Sequence, residues 1–138
     1  MATKIFVNLP VKDLNKSVEF FTKLGYTFNP QFTNEKATCM IIGEDIYIML
    51  LVEEFFKTFL TTTEIADAKK TTEALICLSA ESRAAVDNLI KTAIDAGGTI
   101  FRKAEDHGFM YSQAYQDLDG HIWEIMWMDI NAAPPQPE

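Results

Sequence analysis

The order of predicted secondary-structure elements occurs twice along this chain, and the repetition constrains the fold more than any other feature. Residues 3–9 predict a strand, the segment DLNKSVEFFTKLG predicts a helix, and three strand-like runs follow up to residue 52. The order begins again at residue 74 with EALICLSA, a second helix and three more strands. Each half, of about 55 residues, therefore predicts strand–helix–strand–strand–strand.

Both predicted helices have clear signals at their ends. Asp13 is placed to cap the N-terminus of the first helix, and apolar residues recur along it at helical spacing. Gly25 ends the first helix, and Gly97 and Gly98 end the second. Pro10 and the pair Asn29–Pro30 predict turns.

One helix beside four strands in each half predicts an α+β fold, with each helix on one face of a sheet. The length of 138 residues fits a single domain over 1–138. Its predicted parts are module one at 3–52, a connector with a short amphipathic helix at 53–73, module two at 74–129 and a flexible tail at 130–138.

Composition excludes several classes of partner. The formal net charge is −8 and no basic cluster is larger than a lysine pair, which argues against nucleic acid and against anionic membranes. No apolar run approaches the roughly 20 residues that span a bilayer. Cys39 and Cys77 are far apart, each within an apolar run, and no leader sequence is evident, so we expect a reduced, cytoplasmic protein.

The segment DLDGHIWE, residues 117–124, combines a tight turn with a glutamate on a strand. Strand alternation places Glu124 on one face between Ile122 and Met126, and the two tryptophans on the other face, which should pack on a helix. A carboxylate among apolar residues needs either a basic or hydroxyl partner across the sheet or a raised pKa. His107 and His121 are interpreted as surface residues.

The doubled element order, the VKDLNKSVEFFTKLGY segment and the closing DLDGHIWEIMW resemble the vicinal oxygen chelate superfamily. This group contains glyoxalase I, bleomycin-resistance proteins and extradiol dioxygenases. The resemblance covers residues 3–129 and implies two βαβββ modules whose mixed sheets curl into a cup. It also implies a homodimer, because members of this superfamily usually work as dimers.

In metal-dependent members, His and Glu side chains on the first and last strands of each module hold a divalent ion. Glu124 matches one of these positions, whereas the other three fall on Phe6, on Leu75, and on Met49 or, if the register slips by one, Leu50. Phe and Leu have no donor atom, and a thioether suits hard or borderline metals poorly. We therefore expect no metal ligands and no cofactor.

The resemblance and the strand alternation together imply a cup lining that suits a small apolar or aromatic molecule. The predicted ligand-binding residues are Phe6, Asn8, Tyr47, Met49, Leu75, Cys77 and Met126, and Leu51 and Ile122 share their faces. Glu124 is the candidate catalytic residue, as a general acid or base, or else it orients a polar group of the ligand.

Several alternatives remain open at this level. The seventh strand could turn either Tyr111, Gln113 and Tyr115 or Met110, Ser112 and Ala114 into the cup. The cup could be filled by its own side chains, could bind a ligand, or could be a metal-dependent site resembling lactoylglutathione lyase or extradiol dioxygenase. The phenylalanines that could cap the cup are Phe55, Phe56, Phe59 and Phe109. Alternatively, Phe55 and Phe59 pack on the sheet edge or on a second subunit.

Overall fold

The computed structural model describes residues 2–132, so the predicted flexible tail beyond residue 132 lies outside the described part. The chain divides into two compact units, Met1–Asp67 and Ala68–Glu138. The division falls inside the predicted connector. Each unit contains one of the two predicted modules. That the two form a single domain, with the predicted module bounds, stays a prediction.

The first unit contains the predicted order of elements followed by a short helix. Its elements are β1 (Ile5–Val11), α1 (Leu14–Lys23), β2 (Thr27–Asn29), β3 (Ala37–Gly43), β4 (Ile46–Val52) and α2 (Glu53–Lys57). The sheet order is β1-β4-β3-β2, with β1 parallel to β4 and the other pairs antiparallel.

The second unit repeats this topology. Its elements are β5 (Leu75–Ser79), α3 (Arg83–Asp95), β6 (Thr99–Asp106), β7 (Met110–Gln116) and β8 (Ile122–Met128). The sheet order is β5-β8-β7-β6, with β5 parallel to β8. The predicted α+β class with two βαβββ modules is confirmed.

The helices begin and end where side-chain chemistry predicts. Asp13 caps α1 by accepting a hydrogen bond at 3.1 Å from the backbone N–H of Lys16. Ser82 caps α3 by accepting one at 3.0 Å from Ala85. Gly25 follows α1 with a φ of +101°, a left-handed conformation that glycine adopts without strain.

Each helix covers one face of its own sheet and so forms the core of its unit. In the first unit, Phe20 and Phe21 of α1 are buried together with Ile48 and Leu50 of β4. In the second, Val86 and Ile90 of α3 are buried, and α3 contacts β7 and β8. Truncating one such aromatic side chain to alanine costs about 3–5 kcal/mol.

The face of each sheet that does not carry its helix holds the residues predicted to bind a ligand. On the first sheet we call it the aromatic face, and cross-strand register shows that it carries Phe6, Asn8, Tyr47, Met49 and Leu51. On the second sheet we call it the glutamate face, and it carries Leu75, Cys77, Ile122, Glu124 and Met126. The predicted alternation of β8, with Trp123 and Ile125 on the helix side, is correct.

The turn predicted at Pro10 is wrong, because Pro10 lies inside β1, level with Leu51 of β4. Proline has no backbone N–H to donate, and β1 is an edge strand of its sheet, where a missing donor is tolerated. In the part of the chain that is described, none of the helices is both long and apolar enough to cross a membrane.

Candidate functional site

The DLDG turn is held by one carboxylate. Asp117 Oδ1 accepts hydrogen bonds from the backbone N–H groups of Asp119 and His121, both at 3.0 Å. Its Oδ2 accepts the indole N–H of Trp123 at 2.9 Å. Gly120 completes the turn with a φ of +92°. Since Trp123 is thereby tied to the turn, the next residue, Glu124, faces the other side of the sheet.

Glu124 has a partner across the sheet. Arg102 of β6 donates from Nη2 to Glu124 Oε2 at 2.7 Å. In register, Arg102 lies opposite Ala114 and Ala114 lies opposite Glu124, so the ion pair crosses a strand at a residue with a minimal side chain. The two side chains are 30% and 19% exposed, which leaves the pair reachable from solvent. The alternative in which a basic residue satisfies Glu124 is therefore correct.

The same guanidinium has a second carboxylate beside it. Arg102 Nε lies 3.3 Å from Oε1 of Glu105, three residues along β6. That contact lacks hydrogen-bond geometry, and Nε is buried without an acceptor among the described residues. The side chain of Glu105 is 46% exposed. Arg102 therefore makes one good contact and one poor one.

Cys77 lies level with Glu124 on the neighbouring strand β5 and is exposed. Partial burial raises the pKa of its thiol, and the Glu124 carboxylate raises that pKa further. The Arg102 guanidinium opposes both effects. Cys77 is thus an accessible thiol that is sensitive to both members of the ion pair.

The orientation of β7, left open by the sequence, is decided by its register. Met110, Ser112 and Ala114 lie level with Met128, Met126 and Glu124, and so belong to the glutamate face. Tyr111, Gln113 and Tyr115 lie on the helix face. The hydroxyl of Tyr111 donates to Asp87 of α3, so Tyr111 lies on the opposite side of the sheet from Glu124.

The aromatic face carries a stacked pair of rings. The rings of Phe6 and Tyr47 are 4.8 Å apart at 12° to each other, and Phe6 is 46% exposed. The ammonium group of Lys4 lies 5.7 Å from the centre of the Tyr47 ring and pairs with Asp45 at 2.9 Å. The Tyr47 hydroxyl donates to the backbone oxygen of Glu44. Asn8 lies level with Met49, one step along the strands.

Of the phenylalanines predicted to cap a cup, Phe55, Phe56 and Phe59 lie on or just after α2, and Phe109 lies before β7. The ring centres of Phe55 and Phe59 are 5.2 Å apart, in an edge-to-face arrangement. Helix α2 lies against β1 and β4 of its own unit. Phe56 is half-buried and also lies on α2. The half-buried Phe109 precedes β7, and its backbone oxygen accepts a hydrogen bond from Asp129. A capping role for these residues stays a prediction.

Similarity to known proteins agrees with this topology. Residues 3–43 match the family model described as bleomycin resistance protein-like N-terminal. A hypothetical protein of S. aureus, SA1046, superposes with a TM-score of 0.77 at 26% identity, covering 92% of this chain and 95% of that one. A glyoxalase/bleomycin resistance protein/dioxygenase family enzyme of Burkholderia phytofirmans has a TM-score of 0.75 at 18% identity, covering 92% and 99%.

TioX from Micromonospora has a TM-score of 0.64 at 17% identity, with 92% of this chain and 99% of that one covered. No curated protein sequence matches the chain. This chain has the glyoxalase/bleomycin-resistance/dioxygenase fold. The resemblance inferred from DLDGHIWEIMW and the doubled element order is therefore confirmed at the level of the fold.

The resemblance places ligands of a divalent ion at the positions of Phe6 and Leu75 as well as at Glu124, and the first two side chains do not fit that role. Phe6 and Leu75 offer no donor, and Glu124 already accepts a hydrogen bond from a guanidinium. Within residues 2–132, no three His, Cys, Asp or Glu side chains are grouped so that they could hold a metal ion.

Sequence reasoning identified Glu124 but missed Arg102 and Glu105. The pairing between β6 and β7 changes register between Ile100 and Arg102 and again between Arg102 and Glu105. These irregularities break the two-residue alternation from which a side chain's face is read. The signal available in the sequence was that Glu124, a carboxylate among apolar residues, needs a partner. This indicates that a basic residue lies nearby but not which one.

Proposed function

We propose that this protein binds a small apolar or aromatic molecule with a cationic or hydrogen-bond-donating group, and that it does so without a metal ion. The observation that carries the proposal is the ion pair of Glu124 on an otherwise largely apolar sheet face, which is partly accessible, since Ile122 is buried whereas Cys77 is exposed. Leu75, which lies on the same face, is 51% exposed. Apolar surface supplies affinity for a hydrophobic ligand, and a single carboxylate orients its polar group.

The aromatic face supports the same kind of ligand. Stacked rings favour further flat rings in an offset or edge-on arrangement, and Phe6 leaves part of its ring exposed. Asn8 offers both a donor and an acceptor on that face. The convergence of Phe6, Met49, Leu75 and Glu124 on one point stays a prediction, as do the ligand-binding roles of Asn8, Tyr47, Cys77 and Met126.

Glu124 acts in this proposal as an orienting residue. Arg102 donates to one carboxylate oxygen of Glu124 and so fixes the direction of the carboxylate, which suits it to orient a polar group. The role of Glu124 as a general acid or base stays a prediction. The alternative function is a metal-dependent enzyme resembling lactoylglutathione lyase or extradiol dioxygenase. It would need metal ligands besides Glu124, and the resemblance places two of them at Phe6 and Leu75, whose side chains have no donor atom.

Thermal unfolding measured with added compounds and with added divalent ions tests the proposal. A ligand at 100 times its dissociation constant stabilises the folded state by about 2.7 kcal/mol, which raises Tm by several degrees. We expect such a rise with an aromatic ammonium or amidinium compound and none with Ni²⁺, Zn²⁺, Mn²⁺ or Fe²⁺. The rise should shrink in Glu124→Gln and persist in the matched control Glu81→Gln, which changes an exposed residue before α3.

Elemental analysis of the purified protein supplies the opposing test. Stoichiometric metal that is retained by the wild type and lost in Glu124→Gln would contradict the proposal and favour the enzyme.

We propose in addition that the protein is a homodimer, by analogy with the superfamily that it resembles. Several large apolar side chains outside the two faces are exposed, namely Phe32 at 58%, Phe59 at 64% and Ile130 at 80%. Light scattering after size-exclusion chromatography measures the mass directly; a single species near the chain mass of 15.6 kDa would exclude the dimer. We also propose a reducing, cytoplasmic location, because Cys39 and Cys77 each lie within an apolar run, as cysteines of reduced proteins often do.

A further inference from the structure

Arg102 binds the carboxylate of Glu124 in the way that the cation of a ligand would. Its Nη2 donates at 2.7 Å to one carboxylate oxygen, which is the geometry of a guanidinium or amidinium compound bound to a carboxylate. The contact is made by a residue of the chain itself. Any external cation that binds Glu124 must therefore displace Arg102 or share the carboxylate with it.

Glu105 offers the displaced guanidinium another partner. Its Oε1 is already 3.3 Å from Arg102 Nε, within ion-pair distance, but the geometry does not form a hydrogen bond. A small rotation of the arginine toward Glu105 would give Nε an acceptor. Because one good contact is exchanged for another, neither charge is left isolated in a partly desolvated position.

The local charge also favours a cation over an anion. Two carboxylates share one guanidinium, so the group formed by Glu105, Arg102 and Glu124 has a net charge of −1. An anionic ligand would approach an arginine whose positive charge is already paired with two carboxylates. A cationic ligand would complete the pairing, with one positive charge for each carboxylate.

We propose that Arg102 is an internal competitor for the carboxylate of Glu124, that an amidinium or ammonium group on an apolar ligand displaces it, and that Glu105 receives the displaced guanidinium. This inference rests on the proposed binding function and adds the residue that limits affinity and sets the preference for cations. Arg102 is a specificity-determining residue in this scheme, and Glu105 is a positioning residue.

The chain contains a convenient reporter. Cys77 lies level with Glu124 and is exposed, whereas Cys39 is buried, so a maleimide should react with Cys77 selectively. A ligand bound at Glu124 shields Cys77. The ratio of alkylation rates with and without compound reports occupancy, and taking the ratio within each variant removes any intrinsic change in thiol reactivity.

The experiment measures protection of Cys77 by benzamidinium, and by its neutral counterpart benzamide, in four proteins. They are the wild type, Arg102→Met, Glu105→Gln and the control Lys103→Met. Lys103→Met removes one positive charge from the adjacent exposed residue of the same strand, so it reproduces the change in net charge but not the loss of the competitor.

Arg102→Met should lower the benzamidinium concentration for half-protection at least tenfold, while Lys103→Met should change it less than twofold. Glu105→Gln should raise it, because the displaced arginine then meets a neutral amide oxygen in place of a carboxylate and is held less strongly. Benzamide should show none of these differences. If Arg102→Met does not fold, Arg102→Gln removes the same charge and is measured in its place.

Equal benzamidinium protection in the wild type and Arg102→Met overturns the inference, and so does weaker or absent protection in Arg102→Met. An equal gain in Lys103→Met also overturns it, because the effect would then be one of net charge. The binding function fails separately, when neither charged nor uncharged aromatic compounds alter Cys77 alkylation or Tm in any of the four proteins.

Discussion

The Trp123 indole N–H and the Asp117 carboxylate form a buried hydrogen bond of 2.9 Å that ties the DLDG turn to β8. The same carboxylate accepts two backbone N–H groups of the turn. An amide at this position can accept with only one of its two ends, so the indole or the backbone donors lose their partner.

Asp117→Asn should accordingly lower the free energy of unfolding by about 1–3 kcal/mol, the cost of leaving buried donors unsatisfied. Urea denaturation followed by tryptophan fluorescence measures the change. Glu81→Gln, at an exposed position, serves as the control and should change stability by less than about 0.5 kcal/mol. Equal stability of Asp117→Asn and the wild type would mean that the turn does not depend on this carboxylate.

Gly120→Ala should destabilise the protein more than Gly108→Ala. Both glycines have positive φ, +92° and +82°, so both substitutions carry a backbone strain of about 1–2 kcal/mol. A Cβ at Gly120 would also lie 2.7 Å from Lys69 Cγ and 3.0 Å from the Lys69 backbone nitrogen, whereas a Cβ at Gly108 meets nothing within 4 Å. Overpacking of this kind adds about 1–3 kcal/mol.

Comparing the two variants by urea denaturation separates the cost of backbone strain from the cost of the steric clash with Lys69. An equal loss in both would show that residues 68–69 can move away from the turn.

The reactivity of Cys77 should respond in opposite directions to changes in the two members of the ion pair. Only the thiolate reacts with a maleimide, so a lower thiol pKa means faster alkylation at a fixed pH below that pKa. Glu124→Gln removes a charge that raises the pKa and should accelerate the reaction at pH 7. Arg102→Met removes a charge that lowers the pKa and should slow it.

The full pH profile of the alkylation rate should shift to lower pH in the first variant and to higher pH in the second. Shifts in the same direction would indicate that changed exposure of Cys77 dominates. Lys103→Met is the control, and its profile should stay close to that of the wild type.

Arg83 should control the mobility of the loop between β6 and β7. Its Nη1 pairs with Asp106 at 2.6 Å, its Nη2 donates to the backbone oxygen of Gly108 at 2.8 Å, and its guanidinium lies over the rings of Tyr111 and Trp127. Arg83→Met removes the hydrogen bonds and the charge but keeps an apolar side chain. Amide hydrogen exchange at residues 106–109 should accelerate, while exchange within β8 stays unchanged.

The same loop should loosen in acid. The Arg83 guanidinium holds the pKa of Asp106 below its ordinary value. A carboxyl group whose pKa is lowered by folding contributes stability above its unfolded pKa and loses that contribution as the pH falls through its folded pKa. Protection of residues 106–109 should therefore decline from about pH 4 downward in the wild type. The decline should be smaller in Arg83→Met, where the Gly108 N–H still donates to the Asp106 carboxylate and still lowers its pKa.

Interpretation of the sequence succeeded where a rule is local. Caps such as Asp13, the left-handed Gly25 and the alternation along β8 depend on a few consecutive residues, and each was predicted correctly. It failed at Pro10, because a proline is a turn signal along the chain but an acceptable edge-strand residue once β1 is known to be an edge.

The sequence by itself determined the doubled βαβββ order, the turn made by DLDG and the presence of a carboxylate, Glu124, on an apolar strand face. The tertiary structure alone decided that Tyr111 faces the helix, that Ala114 leaves room across β7, and that Arg102 reaches Glu124 with Glu105 beside it. The physical reason is that pairing between strands is a long-range choice of register. Where an irregularity interrupts β6, no local pattern specifies which side chains meet across the sheet.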